Sequence, residues 1–289
     1  MRSRLPFFIV LLAIASKTMA LDVTSLWDFD RPDVSEQRFR AALQTATGDD
    51  ALVLQTQIAR TYGLRGDVAK ARDILGSIAA SVPNASAEVR ARYALELGRT
   101  YASATQAPET QTAESRALAR AAFGDALEVA RSEHLDALAI DAVHMMAFVD
   151  TAPADQLKWD QEALALVEAS SQPAAKKWEP SVRNNIGYAL YQLGRYDEAL
   201  VQFKQAVVLR ELGTDAEATR SAHWMVAWTL HAQGHLDEAL EIQLRLEREC
   251  DAAKAPDPYV YEELELLYRA RGDEDRAMHY AALKKKASG

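Results

Sequence analysis

The chain has 289 residues, a formal net charge of -9 and a single cysteine. The acidic balance argues against binding to nucleic acid or to an anionic membrane surface. One cysteine permits neither an internal disulfide nor a cysteine-based zinc framework. Hydrophobic residues make up 49% of the chain, with only 12 glycines and 9 prolines, so the composition predicts a folded, helix-rich protein.

The N-terminus has the organisation of a secretory signal peptide. Arg2 and Arg4 precede an apolar run over residues 5–15, and small residues then stand at Thr18 and Ala20. The run is shorter than the roughly 20 apolar residues of a spanning helix. We expect cleavage after Ala20, which removes residues 1–20 and leaves a mature chain of net charge -12 with no integral membrane span. The expected location is the periplasm or the exterior of the cell.

Four similar heptapeptides recur along the rest of the chain. GDVAKAR begins at Gly66, GRYDEAL at Gly194, GHLDEAL at Gly234 and GDEDRAM at Gly272. The last three of these glycines are spaced by 40 and then 38 residues. Each follows one amphipathic run and precedes another. Self-similarity at this period predicts stacked helical hairpins, with glycine ending the first helix of each.

Small and large residues alternate around the best of these turns. Gly187 and Ala199 would let two antiparallel helices approach, while Leu190 and Phe203 would fill the space beside the crossing. Together with Ala206, this pattern resembles the tetratricopeptide repeat. The text before it, over residues 156–178, is similar to that of exported bacterial repeat proteins.

The resemblance implies an all-α fold, a right-handed α-solenoid of stacked hairpins. We expect an extended segment and capping helix in residues 21–50, then about six helix pairs over residues 51–286. A joint between two subarrays is expected near residues 170–180. The register of the pair over residues 134–171 is the hardest to assign, because its turn contains no glycine.

In this family the first helices of the hairpins line a concave groove, so the resemblance also implies groove residues. The C-terminal part of the groove would be aromatic and the N-terminal part basic. The expected partner-binding residues are Asn184, Tyr188, Tyr191, Trp224, Trp228, His231, Arg60, Arg92 and Arg99. Aromatic and arginine side chains are favoured anchors of binding surfaces. The other interpretation is that Trp224 and Trp228 pack the next hairpin as core.

From this pattern we expect a non-catalytic scaffold that binds a protein or peptide. The arginines would hold an acidic part of the partner, and Asn184 its backbone. Phosphate-loop, GxSxG, HExxH and dinucleotide motifs are absent from the sequence, so no cofactor and no catalytic residue is expected. His231 and His235 flank a glycine and lack a third ligand, so no metal site is expected.

Two alternatives remain open. The first is an enzyme on a helical solenoid, which would gather Asp141, His144 and a distant carboxylate in one pocket. The second is a structural subunit that associates with itself through its end hairpins. The sequence names neither the partner nor the oligomeric state.

Overall fold

The computed structural model describes residues 21–103 and 112–287, and the expected signal peptide lies outside them. A 3₁₀ turn at Thr24–Leu26 precedes the helices. The helices are α1 (Pro32–Leu43), α2 (Gly48–Leu64), α3 (Val68–Ile78), α4 (Ala87–Arg99), α5 (Ala113–Ser132), α6 (Asp136–Met146), α7 (Pro153–Ala169), α8 (Pro173–Lys176), α9 (Glu179–Gln192), α10 (Tyr196–Glu211), α11 (Ala216–Ala232), α12 (Leu236–Ala253), α13 (Pro258–Ala270) and α14 (Glu274–Ala287).

The helices stack as antiparallel pairs, which confirms the expected α-solenoid. The pairs are α2–α3, α4–α5, α6–α7, α9–α10, α11–α12 and α13–α14. Each second helix packs against the first helix of its own pair and against the first helix of the next pair. No pair has a core of its own, so the apolar residues form a continuous row of clusters along the stack.

Turn glycines end the first helices as the heptapeptides predict. Gly66, Gly194, Gly234 and Gly272 have φ between +72° and +81°, where a side chain would be strained. At the second of these, Gly194 N–H donates to Tyr191 O and Arg195 N–H donates to Leu190 O. These bonds use carbonyls that the helix end would otherwise leave unpaired.

Two further glycines allow the helices of a pair to touch. A Cβ on Gly187 would lie 2.6 Å from the ring of Phe203, and one on Gly98 would lie 2.4 Å from the ring of Phe123. Both rings are fully buried. The small-and-large pattern read from α9 and α10 therefore recurs in α4 and α5.

The segment before α1 docks on the first repeat. Trp27 stacks on Phe29 with ring centroids 4.6 Å apart and meets Phe39 edge-on. Its indole N–H donates to Gln57 Oε1 at 3.0 Å. The segment thereby covers the start of the stack and reaches α2.

The chain between the third and fourth pairs holds the short helix α8. Lys176 Nζ donates to the carbonyls of Val167 and Glu168 at 2.7 and 3.1 Å, at the C-terminal end of α7. Ala175 is fully buried beneath it. These bonds hold α8 against the end of α7. Among the helices described, none combines the length and apolar character that crossing a bilayer requires.

Candidate functional site

Five aromatic side chains run together along α9, α11 and the start of α13, and we call them the aromatic strip. Tyr191 stacks on Trp228 with centroids 3.4 Å apart, and Trp228 is stacked on Trp224 at 5.6 Å. Tyr188 lies 6.1 Å from Trp228, and Tyr259 meets Trp224 edge-on at 6.4 Å. Rings from three successive repeats therefore form one continuous surface.

The strip is neither core nor wholly exposed. Tyr188 and Tyr259 are 44% and 66% exposed, whereas Tyr191, Trp224 and Trp228 are half-buried. Each tryptophan thus packs one part of its ring on the repeats and leaves another part at the surface. Both interpretations of the tryptophans describe part of what is found, because they pack the hairpins and also border solvent.

Polar contacts hold the side chains of the aromatic strip in place. Trp224 Nε1 donates to Tyr259 O at 3.2 Å. His231 Nδ1 lies 2.6 Å from Glu263 Oε1, and burial raises the pKa of the Glu263 carboxyl. Burial also raises the pKa of Tyr191 to about 12, so this phenol stays neutral. His231, expected in the groove, is therefore committed to a buried carboxyl.

Asn184 lies at the edge of the strip, one turn before Tyr188. It is half-buried and borders a cavity of about 310 Å³ shared with Ser181, Arg210 and Ser221. Arg210 donates to Ser181 Oγ at 2.9 Å on the far wall of this cavity. Asn184 is thus placed beside open space from which a partner backbone can reach it.

Each of the three arginines expected to bind an acidic partner has an acidic neighbour within the protein. Arg92 Nε donates to Glu88 Oε1 at 2.9 Å. Arg99 donates to Glu96 and Asp141 at 2.6 and 2.5 Å, and its side chain is only 13% exposed. Arg60 lies 3.7 Å from Glu96 and 3.9 Å from Asp141. Arg92 and Arg99 are thus hydrogen-bonded within the protein, whereas Arg60 only lies near its acidic neighbours.

These groups surround a cavity of about 190 Å³ between α2, α4 and α6. We call Arg60, Glu96, Arg99, Asp141 and His144 the charged pocket. Burial opposes ionisation of Asp141, but Arg99 and Arg60 outweigh burial and lower its pKa. Asp141 and Glu96 likewise outweigh burial at Arg99 and raise its pKa. The pocket therefore holds fixed charges of both signs.

His144 joins the charged side of this pocket to an apolar side. Its ring meets Phe148 edge-on at 5.3 Å and Trp178 at 5.6 Å. Asn185 Nδ2 lies 3.2 Å from Nδ1, and because an amide nitrogen can only donate, Nδ1 accepts and the neutral ring carries its proton on Nε2. Burial lowers the pKa of His144, which keeps it neutral near pH 7.

Asp141 and His144 thus lie in one pocket, the first buried and the second half-buried, with Glu96 as the distant carboxylate that the enzyme alternative required. Arginine holds both carboxylates, however, and no serine, threonine or cysteine is hydrogen-bonded to His144 in the described residues. No group of three potential metal ligands occurs in that part of the chain either. His235 contacts Glu238 rather than sharing a ligand site with His231.

The sequence profile of the tetratricopeptide repeat matches residues 178–247, which hold α9 to α11 and much of α12. This stretch therefore has the sequence of a tetratricopeptide repeat. No curated protein matches the chain in sequence.

Solved tetratricopeptide repeat structures share the fold beyond the matched residues. A signal transduction ATPase with a repeat sensor, from Pyrococcus horikoshii, aligns with 89% of this chain at 13% identity and a TM-score of 0.65. This chain spans 39% of that ATPase. A putative kinesin light chain from Podosopora anserina aligns with 70% of this chain and 95% of its own, at 16% identity and TM-score 0.52.

The apo quorum sensor NprR from B. thuringiensis aligns with 91% of this chain and 83% of its own length, at 13% identity and a TM-score of 0.51. At these identities the likeness concerns the fold. The repeat architecture therefore extends over most of the chain, although the sequence profile reaches only the fourth and fifth pairs.

Sequence reasoning missed several residues of both sites in this repeat protein. Tyr259, at the start of α13, was not among the expected groove residues, yet it ends the strip. Glu96 and Trp178 belong to the charged pocket. The only available signal for Glu96 was its spacing of three from Arg99, which on a helix brings the two side chains together.

Proposed function

We propose that this tetratricopeptide repeat protein is a non-catalytic scaffold that binds a segment of another protein along the aromatic strip. The observation that carries the proposal is the continuity of the strip across three first helices, with Tyr188 and Tyr259 exposed at its two ends. Large, rigid aromatic side chains gain contact area on binding at a low cost in side-chain entropy. Fixed polar contacts beneath them keep the surface pre-formed.

The partner segment is expected to carry apolar anchors flanked by basic residues. The strip itself is uncharged, and the chain as a whole is acidic. Arg92 and Arg99 are hydrogen-bonded to acidic side chains of the protein itself, and Arg60 lies in the charged pocket away from the strip. None of the three is therefore offered to a partner segment at the strip. Lysine or arginine beside the anchors would be drawn to the acidic surface and to the aromatic faces.

The cell envelope or the cell exterior is the proposed location, with the signal peptide cleaved after Ala20. This part of the proposal is supported by the N-terminal sequence: two arginines, an apolar run and small residues before the expected site. Mass spectrometry of the protein recovered from cells would test it, because cleavage gives a chain that begins at Leu21. An intact N-terminus on the recovered protein would contradict cleavage.

The binding proposal is tested by capture from a cell-envelope extract with the chain that begins at Leu21. A double variant, Tyr188→Ala with Tyr259→Ala, removes the exposed ends of the strip. The matched control is Val208→Ala with Met278→Ala, which trims two exposed apolar residues on the second helices α10 and α14. Circular dichroism verifies that all three proteins stay helical.

The expected result is a partner retained by the wild type and the control and lost by the strip variant. A synthetic peptide from that partner should then change the emission of Trp228 and Trp224 at the same concentrations. A partner retained equally by all three proteins would place binding elsewhere and overturn the assignment of the strip. Light scattering distinguishes the self-associating alternative, which requires a mass that rises with concentration.

A further inference from the structure

The charged pocket has no part in the proposed binding along the strip. It lies between α2, α4 and α6, whereas the strip lies on α9, α11 and α13. Its two arginines and two carboxylates sum to no net charge, with His144 neutral. Burying four charged groups around a cavity is costly unless each is well paired. The pairing in this pocket is uneven.

Arg99 is fully engaged, but Arg60 is not. Arg99 makes contacts of 2.6 and 2.5 Å to the two carboxylates, while Arg60 approaches them only to 3.7 and 3.9 Å. Those separations exceed a hydrogen bond. Arg60 Nε is buried and has no hydrogen-bond partner in the described residues. The guanidinium is held in place by the rings of Trp27 and Phe29, each 5.5 Å away.

One carboxylate oxygen of Asp141 likewise lacks a close cationic partner. Asp141 Oδ1 accepts from Arg99, whereas Asp141 Oδ2 has only the 3.9 Å approach of Arg60 Nη1 within the described chain. The pocket thus offers an under-used planar cation and an under-used carboxylate oxygen on the same wall. A guanidinium pairs preferentially with a carboxylate, through two parallel hydrogen bonds.

The opposite wall is apolar. Leu64, Met145, Phe148 and Trp178 line it, with the ring of His144 between the last two. The cavity of about 190 Å³ is smaller than the ~300–1,000 Å³ of sites for drug-sized ligands. The ligand must therefore be small.

We propose that the charged pocket binds a free α-amino acid with an apolar side chain. The ligand carboxylate pairs with Arg60 and its ammonium with Asp141 Oδ2. Its side chain lies against the apolar wall described above. A zwitterion leaves the net charge of the pocket at zero. A simple carboxylic acid would add an unpaired negative charge beside Glu96 and Asp141, and a simple amine would leave Arg60 unpaired.

Calorimetric titration of the wild-type chain from Leu21 tests this proposal with three compounds of matched shape. L-phenylalanine carries both charges, 3-phenylpropionate lacks the ammonium, and phenethylamine lacks the carboxylate. We expect L-phenylalanine to bind at least 10-fold more tightly than either analogue. L-leucine is titrated in parallel, since the apolar wall accepts aliphatic side chains as well.

Two variants then locate the site. Arg60→Met keeps the packing of the side-chain stem against Trp27 and removes the donors, so binding should fall at least 10-fold. Tyr188→Ala alters the strip only and should leave amino-acid binding unchanged, which separates this proposal from the function proposed for the strip. The analogue series uses the wild-type chain and so remains decisive even if Arg60→Met fails to fold.

The proposal is wrong if neither L-phenylalanine nor L-leucine binds at millimolar concentration. It is also wrong if 3-phenylpropionate binds as tightly as L-phenylalanine, because the pocket would then recognise a carboxylate alone. Unchanged binding in a folded Arg60→Met variant would move the site elsewhere. Each result is independent of whether a protein partner binds the strip.

Discussion

Gly187 and Gly98 each lie beneath a phenylalanine ring of the paired helix. At Gly187 a methyl group would fall 2.6 Å from Phe203, whose ring is fully buried and has no room to move. Forcing extra volume into such a contact costs about 1–3 kcal/mol. The gain in helix propensity on replacing glycine, about 1 kcal/mol, offsets only part of this cost.

We therefore expect Gly187→Ala to lower the free energy of unfolding, measured by urea denaturation and circular dichroism. Gly124→Ala is the matched control, since Gly124 also lies inside a helix but has no atom within 4 Å of the added Cβ. The control should be neutral or stabilised by up to about 1 kcal/mol. Equal stability of the two variants would show that α9 and α10 separate without cost.

Asp160 is a buried acid on α7, 3% exposed, with one carboxyl oxygen lacking a hydrogen-bond partner in the described chain. Burial raises its pKa from 3.8 to about 7. The folded protein therefore holds this proton more tightly than the unfolded chain does. The free energy of unfolding falls as the pH rises from about 4 through 7, by up to about 4 kcal/mol.

Asp160→Asn mimics the protonated carboxyl and should remove this part of the pH dependence. Chemical denaturation at pH 5 and pH 8 would measure it, and the variant should exceed the wild type mainly at pH 8. Asp150→Asn is the contrasting control. A hydrogen bond from Arg120 lowers the pKa of Asp150 to about 2, so its stabilising contribution is present above pH 4 and is lost on acidification. A wild-type loss from pH 5 to pH 8 that persists in Asp160→Asn would refute the assignment.

Between elements, the ion pairs of the charged pocket join α4 to α6. Asp141→Leu would leave Arg60 and Arg99 facing Glu96 alone, with one buried positive charge uncompensated. Removing one member of a buried pair costs about 3–5 kcal/mol. The double variant Asp141→Leu with Arg99→Met restores the balance, so we expect it to recover most of that loss. Thermal and urea unfolding of the three proteins make the comparison. A double variant no more stable than the single would mean that packing, and not charge, decides the cost.

The order of helices and the strip follow from local patterns, which is why they were predictable. Turn glycines and facing small residues determine the turn and the close packing within one hairpin. Residues four apart on a helix, such as Trp224 and Trp228, must share a helix face. The pairing of Arg60 with Glu96 and Asp141 has no local cause. It depends on the offset between successive first helices, which the sequence pattern leaves open.

The acidic neighbours of the arginines could not be predicted for the same reason. Groove positions carried over from a repeat family indicate which way a side chain points. They do not indicate which side chain of a neighbouring helix it contacts. Arg60 and Arg99 line one cavity. Asp141 on α6 comes within reach of them because α6 packs beside α4.

At the scale of the whole molecule, the stack is held by contacts between neighbouring pairs. The reactivity of Cys250 can be used to follow the contact between α12 and α13. Its thiol is 2% exposed on α12 and belongs to the cluster shared with Tyr261 and Leu264 of α13. Burial raises its pKa, which further slows reaction of the thiol. It is the only cysteine of the chain, so the rate of reaction with a thiol reagent measures the exposure of this interface alone.

In a solenoid, removing an end pair should abolish its interface and leave the remaining repeats folded. We expect a chain ending at Ala255, which lacks α13 and α14, to keep most of its helical circular dichroism while Cys250 reacts with Ellman's reagent at the rate of an exposed thiol. In the full chain, Cys250 should react slowly without urea. If the last pair opens first, the reaction rate should rise at urea concentrations below those of the main unfolding transition. Replacing Cys250 with serine gives the background. Loss of all helical signal on truncation would contradict this, because stability would then depend on the whole stack at once and not on the nearest neighbour.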